Sequence, residues 1–393
     1  MDDSKYNQRG VSAKKEDVYS AIAGLDQGLF PKAFCKIFPD YFLNDENFCS
    51  IVHADGAGTK SSLAYLYWKE TGDISVWRGV AQDSLVMNTD DLICAGAVND
   101  FLFSSIINRN KHLIPGEVLS EIIQGTNDFI EKMKSCGINI HYMGGETADL
   151  GDVVRTITID STISCRIPRA KVIQNEIRAG DVIVGFSSSG KATYEDEYNS
   201  GIGSNGLTAA RHDVLTHSYF EWYPETFDTE MKASLAYAGS KKVTDRFSTG
   251  SNGEDTPLNI GKLLLSPTRT YAPVMKILAE RFFDSIHGAI HCSGGGQTKV
   301  LHYAENLHII KDNLFPLPPV FKLIQQESKT DWKEMYQVFN MGHRLEIYCD
   351  EKIAREIIGV VNSFDIDARV IGKCEAAANT SLTIESEFGT LVY

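Results

Sequence analysis

Apolar runs of strand or helix length, separated by glycine-rich turns, set the rhythm of the chain. Phe48 to Ala54 (FCSIVHA) is an apolar run of strand length that feeds directly into the turn Asp55-Gly56-Ala57-Gly58-Thr59-Lys60. Asp83 to Ala97 places Leu85, Val86, Leu92 and Ile93 as a half-buried helix would. Pro115-Gly116 opens a second predicted helix, Glu117 to Ser135, with Val118, Ile122, Phe129, Ile130 and Met133 on one face and Cys136-Gly137 as its stop. Ile138 to Met143 reads as a strand ending at Gly144-Gly145, and Arg155 to Arg166 as a strand of near-alternating β-branched residues closed by Pro168. After Gly180-Asp181, Val182 to Phe186 reads as a buried strand that stops at Ser187-Ser188-Ser189-Gly190. Residues 1–50 read as a mobile lead-in and a short amphipathic piece, and the polar stretches 191–204 and 219–261 as surface insertions.

Strands and helices of this kind define an α/β (α+β) chain. At 393 residues it exceeds what one core usually supports, so two domains are expected, residues 1–170 and 171–393, each a mixed sheet with helices packed against it. The 38 Lys and Arg against 52 Asp and Glu leave a formal charge of −14, which argues against nucleic acid as a partner because phosphate backbones select basic surfaces. A small phosphorylated ligand stays compatible with it, since metal ions and a few local donors screen its charge. The eight cysteines are scattered, with no C-x-x-C pair, and read as reduced, mostly buried thiols. No apolar core of a signal peptide follows Met1, and no run approaches the ~18 to 20 apolar residues that span a bilayer, so a cytoplasmic protein with no membrane partner is expected.

Candidate chemistry is densest in the first half, where Asp55, Asp83, Asp90, Asp91, Glu146 and Asp149 stand at strand ends and helix starts beside glycines. Carboxylates so placed suit Mg²⁺, a hard cation commonly shared with nucleotide phosphates, and Lys60 would add a point charge for phosphate. For any one of these Asp residues alone, a cap or turn role is the commoner account. The turn at 55–60 lacks the spacing of a P-loop, and Gly56 with Gly58 lacks the third glycine of a dinucleotide fingerprint. In the second half, Gly203-Ser204-Asn205-Gly206 precedes a helix-like segment and suits an anion, although S-N-G is equally an ordinary turn. His291 stands before Cys292-Ser293-Gly294-Gly295-Gly296, a titratable imidazole beside a flexible loop that is a candidate substrate site.

Taken in order, DGAGTK (55–60), DSLVMNTDDLICAGA (83–97), MGGETAD (143–149), SSSG (187–190), SNG (204–206), SPTRTY (266–271), HCSGGG (291–296) and MYQVFNMG (335–342) resemble the phosphoribosylformylglycinamidine cyclo-ligase, or aminoimidazole ribonucleotide synthetase, family. The resemblance implies N-terminal sheets joining in a homodimer, and ATP with Mg²⁺ bound in the first half. It implies a ribonucleotide amidine as substrate, whose imidazole ring closes once ATP has phosphorylated the formyl amide oxygen. Carried over by motif position, Asp55, Asp91 and Glu146 would hold metal, and Gly56, Gly58, Thr59, Lys60, Gly144 and Gly145 would meet ATP phosphates. Ser204, Asn205, Gly206, Ser293, Gly294 and Gly295 would hold substrate, while Lys60 and His291 would act in catalysis, His291 within reach of the reacting amide. The chain departs from the family at Gly203, where a histidine is usual, and at Gly342-His343-Arg344, where a glycine-rich ending is usual. Another ATP-dependent kinase or synthetase of the same superfamily, acting on a different small amide, acid or phosphate, is the alternative expectation.

Overall fold

The computed structural model describes residues 5–11, 16–247 and 258–393. Its first sheet has five strands, β1 (Phe38–Pro39), β2 (Phe48–Gly56), β3 (Phe101–Arg109), β4 (Ile140–Asp149) and β5 (Ile157–Pro168), in the order β1-β2-β5-β3-β4. Only β3 and β4 run parallel, the other neighbours being antiparallel. Short helices α1 (Lys5–Gln8) and α2 (Glu16–Ile22) precede the sheet, and α3 (Lys60–Thr71), α4 (Val76–Cys94) and α5 (Gly116–Ser135) lie between its strands in sequence. The second sheet begins at Val182. Its strands β6 (Val182–Ser187), β9 (Ile286–His291), β10 (Leu307–Lys311), β11 (His343–Cys349), β12 (Ala368–Ala376), β13 (Ser381–Ser386) and β14 (Gly389–Val392) take the order β14-β13-β10-β12-β6-β11-β9. The pair β7 (Arg246–Phe247) and β8 (Leu258–Asn259) stands apart. Helices α6 (Leu207–Val214), α7 (Ser218–Trp222), α8 (Ile260–Leu265), α9 (Ala272–Phe282), α10 (Pro319–Ser328), α11 (Trp332–Val338) and α12 (Glu351–Asn362) complete this half.

Helix α4 organises the molecule. It packs on β2 and β5 of the first sheet and also touches β9 and α9 from the second half. Fifteen of its 19 residues are buried, among them Asp83, Asn88 and Asp90, so it is a central helix and not the half-buried one the spacing predicts. A helix enclosed on several sides has no solvent face, which is why its polar residues break the apolar period without ending the helix.

Several other expectations give way for physical reasons. β4 runs on through Gly144-Gly145, because a register irregularity between Phe103 and Ser105 on β3, with Gly144 at φ 93, absorbs the glycines as a bulge. The stretch 191–204 is no surface insertion, since Asn199, Ser200 and Ile202 are buried and Glu195 pairs with the buried Arg269. Likewise the described part of 219–261 is built on a packed aromatic group, with Phe227 and Tyr237 at 5.9 Å and Tyr219 and Tyr237 at 6.0 Å between ring centres; residues 248–257 lie outside the described residues. Aromatic rings bury large area without needing a helical period. Arg9, in the expected mobile lead-in, is buried against Asp213 at 2.6 Å. All eight cysteines are free thiols and seven are buried.

One face of the first sheet carries α4, while the other is left open among the described residues. Paired residues of adjacent strands share a face, so the rows Val52–Ser164–Leu102 and Gly56–Asp160–Ile106–Glu146 both lie on the open side. Val52, Leu102 and Ile106 are accordingly exposed. No helix among the described residues is long and apolar enough to cross a membrane.

Candidate active site at the junction of the two halves

The turn after β2 and the start of α6 meet through Thr59 Oγ1 and Thr208 Oγ1, 2.8 Å apart. This contact brings the 55–60 turn against the Ser204-Asn205-Gly206 turn. The triple-glycine loop faces the same place, since a Cβ built on Gly294 would lie 3.9 Å from Asn205 Nδ2. Ser204 Oγ lies 3.1 Å from Thr268 Oγ1 in the SPTRTY segment, whose Thr270 hydroxyl and Tyr271 N–H donate to Asp90 at 2.6 and 3.1 Å. Segments far apart in sequence therefore converge on α4. Gly206, at φ 79, is required there: a side chain would drive its Cβ to 2.4 Å from the Phe339 ring.

Lys60 is fully buried at the first turn of α3. Its ammonium lies 2.9 Å from Asp83 Oδ1, 2.6 Å from the Ser266 carbonyl and 3.4 Å from that of Gly203. Burial pulls its pKa down, Asp83 pushes it back up, and the result stays below the ordinary lysine value. With its donors spent on the protein, Lys60 ties the two halves together and presents no face to a phosphate, contrary to the expectation from its motif. The open ground lies beside it: nothing approaches within 4 Å of a Cβ built on Gly58.

His291 is also fully buried, with both ring nitrogens engaged, Nδ1 at 2.6 Å from Asp91 Oδ1 and Nε2 at 2.6 Å from Arg344 Nη2. It has no nitrogen left over for a substrate amide. Burial pushes the Asp91 carboxyl up, but the hydrogen bond from His291 and the nearby Lys299 ammonium hold it below the usual carboxylate value. Asp90, one residue earlier, is pushed up by burial. His53 Nε2 lies 3.4 Å from Asp91 Oδ2, and His53 Nδ1 is 2.8 Å from Asn88 Oδ1. His53 did not stand out in the sequence, and Arg344 did so only within the departure at 342–344, because nothing there marks a strand histidine as a partner of Asp91 or a strand arginine as a partner of His291.

The three carboxylates expected to hold metal do not all converge on one place. Asp55 follows His53 by one pleat repeat on the face toward α4, close to Asn88, whose Nδ2 is 3.4 Å from the Asp55 carbonyl, and Asp91 reaches the same face. Glu146 lies on the open face of β4, three strands from β2, roughly 14 Å away at about 4.8 Å per strand. One ion with ligands at ~2.1 Å cannot bridge that separation within one chain. Gly144 and Gly145 share the β4 edge with Glu146, apart from Gly56, Gly58 and Thr59. Asp55 and Asp91 remain a fit for Mg²⁺ by donor chemistry, two hard oxygen ligands, one near the end of β2 and one on the facing helix α4.

Beneath the site a second ionic group is wholly enclosed. Glu346 accepts from Lys311 Nζ, lies 2.9 Å from His343 Nε2 and 2.7 Å from the Tyr348 hydroxyl, and has Cys292 beside it. Cys292, His343 and Glu346 are close enough to hold a metal ion, but Lys311 already supplies the positive charge there. A cavity of about 300 Å³ opens on the far side of the SPTRTY segment, between Arg78, Gln82, Tyr194, Glu195, Ser266 and Thr270. None of the candidate metal, phosphate, substrate or catalytic residues named from the sequence lines it.

A two-part α/β chain, each part with its own mixed sheet and both meeting on a central helix rich in carboxylates, is the class that fold and site define. Residues 40–167 match the family described as AIR synthase related protein, N-terminal domain, and the first sheet falls almost wholly inside that span. Over 92% of its length the chain is 28% identical to phosphoribosylformylglycinamidine cyclo-ligase of Methanocaldococcus jannaschii, covering 85% of that protein. It is 26% identical to the protein of the same name from Staphylococcus carnosus over 84% of the chain and 81% of the relative. The fold is shared with solved structures of a HypE-HypF complex (TM-score 0.56, 14% identity, 96% of this chain and 99% of that one) and of AaThiL complexed with AMPPCP and TMP (0.53, 13%, 94% and 93%).

Proposed function

We propose that this chain is an ATP-dependent cyclo-ligase that closes the imidazole ring of formylglycinamidine ribonucleotide in purine synthesis. The observation that carries the reading is the similarity along nine-tenths of the chain to proteins of that name, together with the convergence of the 55–60, 204–206 and 293–295 segments on one place. In this reading residues 1–170 bind ATP and Mg²⁺ and residues 171–393 bind substrate. The backbone of Gly56, Gly58 and Thr59 at the N-terminus of α3 cradles phosphate, since the first N–H groups of a helix point at such an anion. Asp55 and Asp91 would hold Mg²⁺, which when bound neutralises developing charge on the phosphates. Ser204, Asn205, Gly206, Ser293, Gly294 and Gly295 orient the ribonucleotide. ATP phosphorylates the formyl amide oxygen, the amidine nitrogen attacks the carbon, and phosphate leaves as the ring closes; the protein's task is placement and charge compensation. Lys60 and His291 serve by holding the two halves in register.

The test is ADP release coupled to ring closure by purified protein with formylglycinamidine ribonucleotide and Mg²⁺–ATP. Asp91→Asn is expected to depress turnover by orders of magnitude in protein that remains folded. ADP release with another amide, acid or phosphate but none with this amidine would replace the reading by that of a different superfamily kinase or synthetase. The open face of the first sheet, with Val52, Leu102 and Ile106 exposed on it, supports a homodimer in which two such sheets join.

A further inference from the structure

His291 sits between two groups of fixed polarity. The Asp91 carboxylate only accepts hydrogen bonds and the Arg344 guanidinium only donates them. With Nδ1 2.6 Å from Asp91 Oδ1 and Nε2 2.6 Å from Arg344 Nη2, the ring carries its proton on Nδ1 and accepts at Nε2. The line of polar contacts continues from Asp91 to His53, whose Nε2 lies 3.4 Å from Asp91 Oδ2, and on through a hydrogen bond to Asn88, whose Nδ2 donates to Ser161 Oγ at 2.8 Å. It thus runs from β11 and β9 of the second sheet, across α4, to β2 and β5 of the first.

Arg344 is built into place for this contact. It is 2% exposed, and its Nη1 has no hydrogen-bond partner among the described residues, so the guanidinium is buried at a cost that its bond to His291 helps offset. Gly203, at φ 70, leaves it room: a Cβ there would lie 3.1 Å from Nη1. The two departures from the family pattern, Gly203 and Arg344, are therefore neighbours in space.

We propose that Arg344 is a positioning residue: by donating to Nε2 it fixes His291 as the Nδ1–H tautomer, which aims an N–H at Asp91 and holds that carboxylate in one orientation for a cation. The cation part rests on the cyclo-ligase reading; the tautomer part does not. Groups that orient a metal ligand through a second hydrogen bond typically change metal affinity about 10- to 100-fold when removed.

Long-range ¹H–¹⁵N spectra of protein labelled at histidine report the tautomer of each ring, and calorimetry reports Mg²⁺–ATP affinity. The native protein is expected to show His291 protonated at Nδ1. Arg344→Met is expected to lose that fixed pattern and to weaken Mg²⁺–ATP about 10- to 100-fold, whereas Arg344→Lys, which keeps a donor, restores the Nδ1–H signal. Gly203→Ala, which crowds the guanidinium from the other side, should disturb the same signal. Native protein with His291 protonated at Nε2 overturns the proposal without any variant, and so does folded Arg344→Met protein that keeps both the Nδ1–H signal and the native affinity. Native protein that binds no Mg²⁺–ATP yet shows His291 protonated at Nδ1 overturns the cyclo-ligase reading and leaves the tautomer assignment supported.

Discussion

Glu346 illustrates how much a single side chain owes to its surroundings. Burial pushes its carboxyl up, but the Lys311 ammonium and His343 more than reverse this and hold it at about 2, against an ordinary 4.5. A carboxylate with a depressed folded pKa contributes stability that is complete above its unfolded pKa and is lost as pH falls from about 4.5 through about 2. Glu346→Gln leaves Lys311 buried without its counter-charge, and breaking such a pair typically costs about 3–5 kcal/mol. Urea unfolding is expected to show that loss near neutral pH and a shrinking difference from the native protein as pH drops through the same window. A difference that stays constant down to pH 2 would mean that Glu346 is not ionised in the native protein. At this scale the sequence marked Asp91 and His291 as chemistry-bearing, and the structure places them in hydrogen-bonding contact. It could not indicate that both His291 nitrogens are consumed, because Arg344 is 53 residues away and reaches the ring only when β11 pairs with β9.

Among the elements, α5 was legible and α4 only in part. The apolar residues of α5 lie on one face because its other face meets water, and Val118, Ile122, Phe129, Ile130 and Met133 are all buried. Helix α4 lacks a solvent face, so the expected segment missed its first turns, from Val76. The two helices approach closely at Gly125, where a Cβ would stand 2.6 Å from Arg78 Cα. Gly125→Ala is therefore expected to destabilise the protein by about 1–3 kcal/mol through overpacking, in spite of alanine's better helix propensity. The effect should show as a lower midpoint of denaturation with an unchanged slope. A midpoint raised by the substitution would show that the helices have room to separate.

For the whole molecule, the open sheet face carries the prediction. Val52→Asp places a charge in the row Val52–Ser164–Leu102, and if two such faces join, sedimentation should show a dimer for the native protein and a monomer for the variant. A native monomer at micromolar concentration would sink the homodimer. The sequence by itself determined the mixed α/β class, strands β2, β5 and β6, helix α5 and the glycine turn at 55–60, because these follow from local period and backbone freedom. Which carboxylates could share a cation was decided only by strand order and face: β5 and β3 lie between β2 and β4, and Glu146 points away from Asp55. Pairing across a sheet is a long-range choice made by packing, so the motifs carried the residues' chemistry while the tertiary structure fixed their distances. Lys60 shows the same division, since a lysine at a helix start reads as a phosphate ligand until the fold encloses it with Asp83 and the Ser266 carbonyl, where its charge goes to joining the two halves.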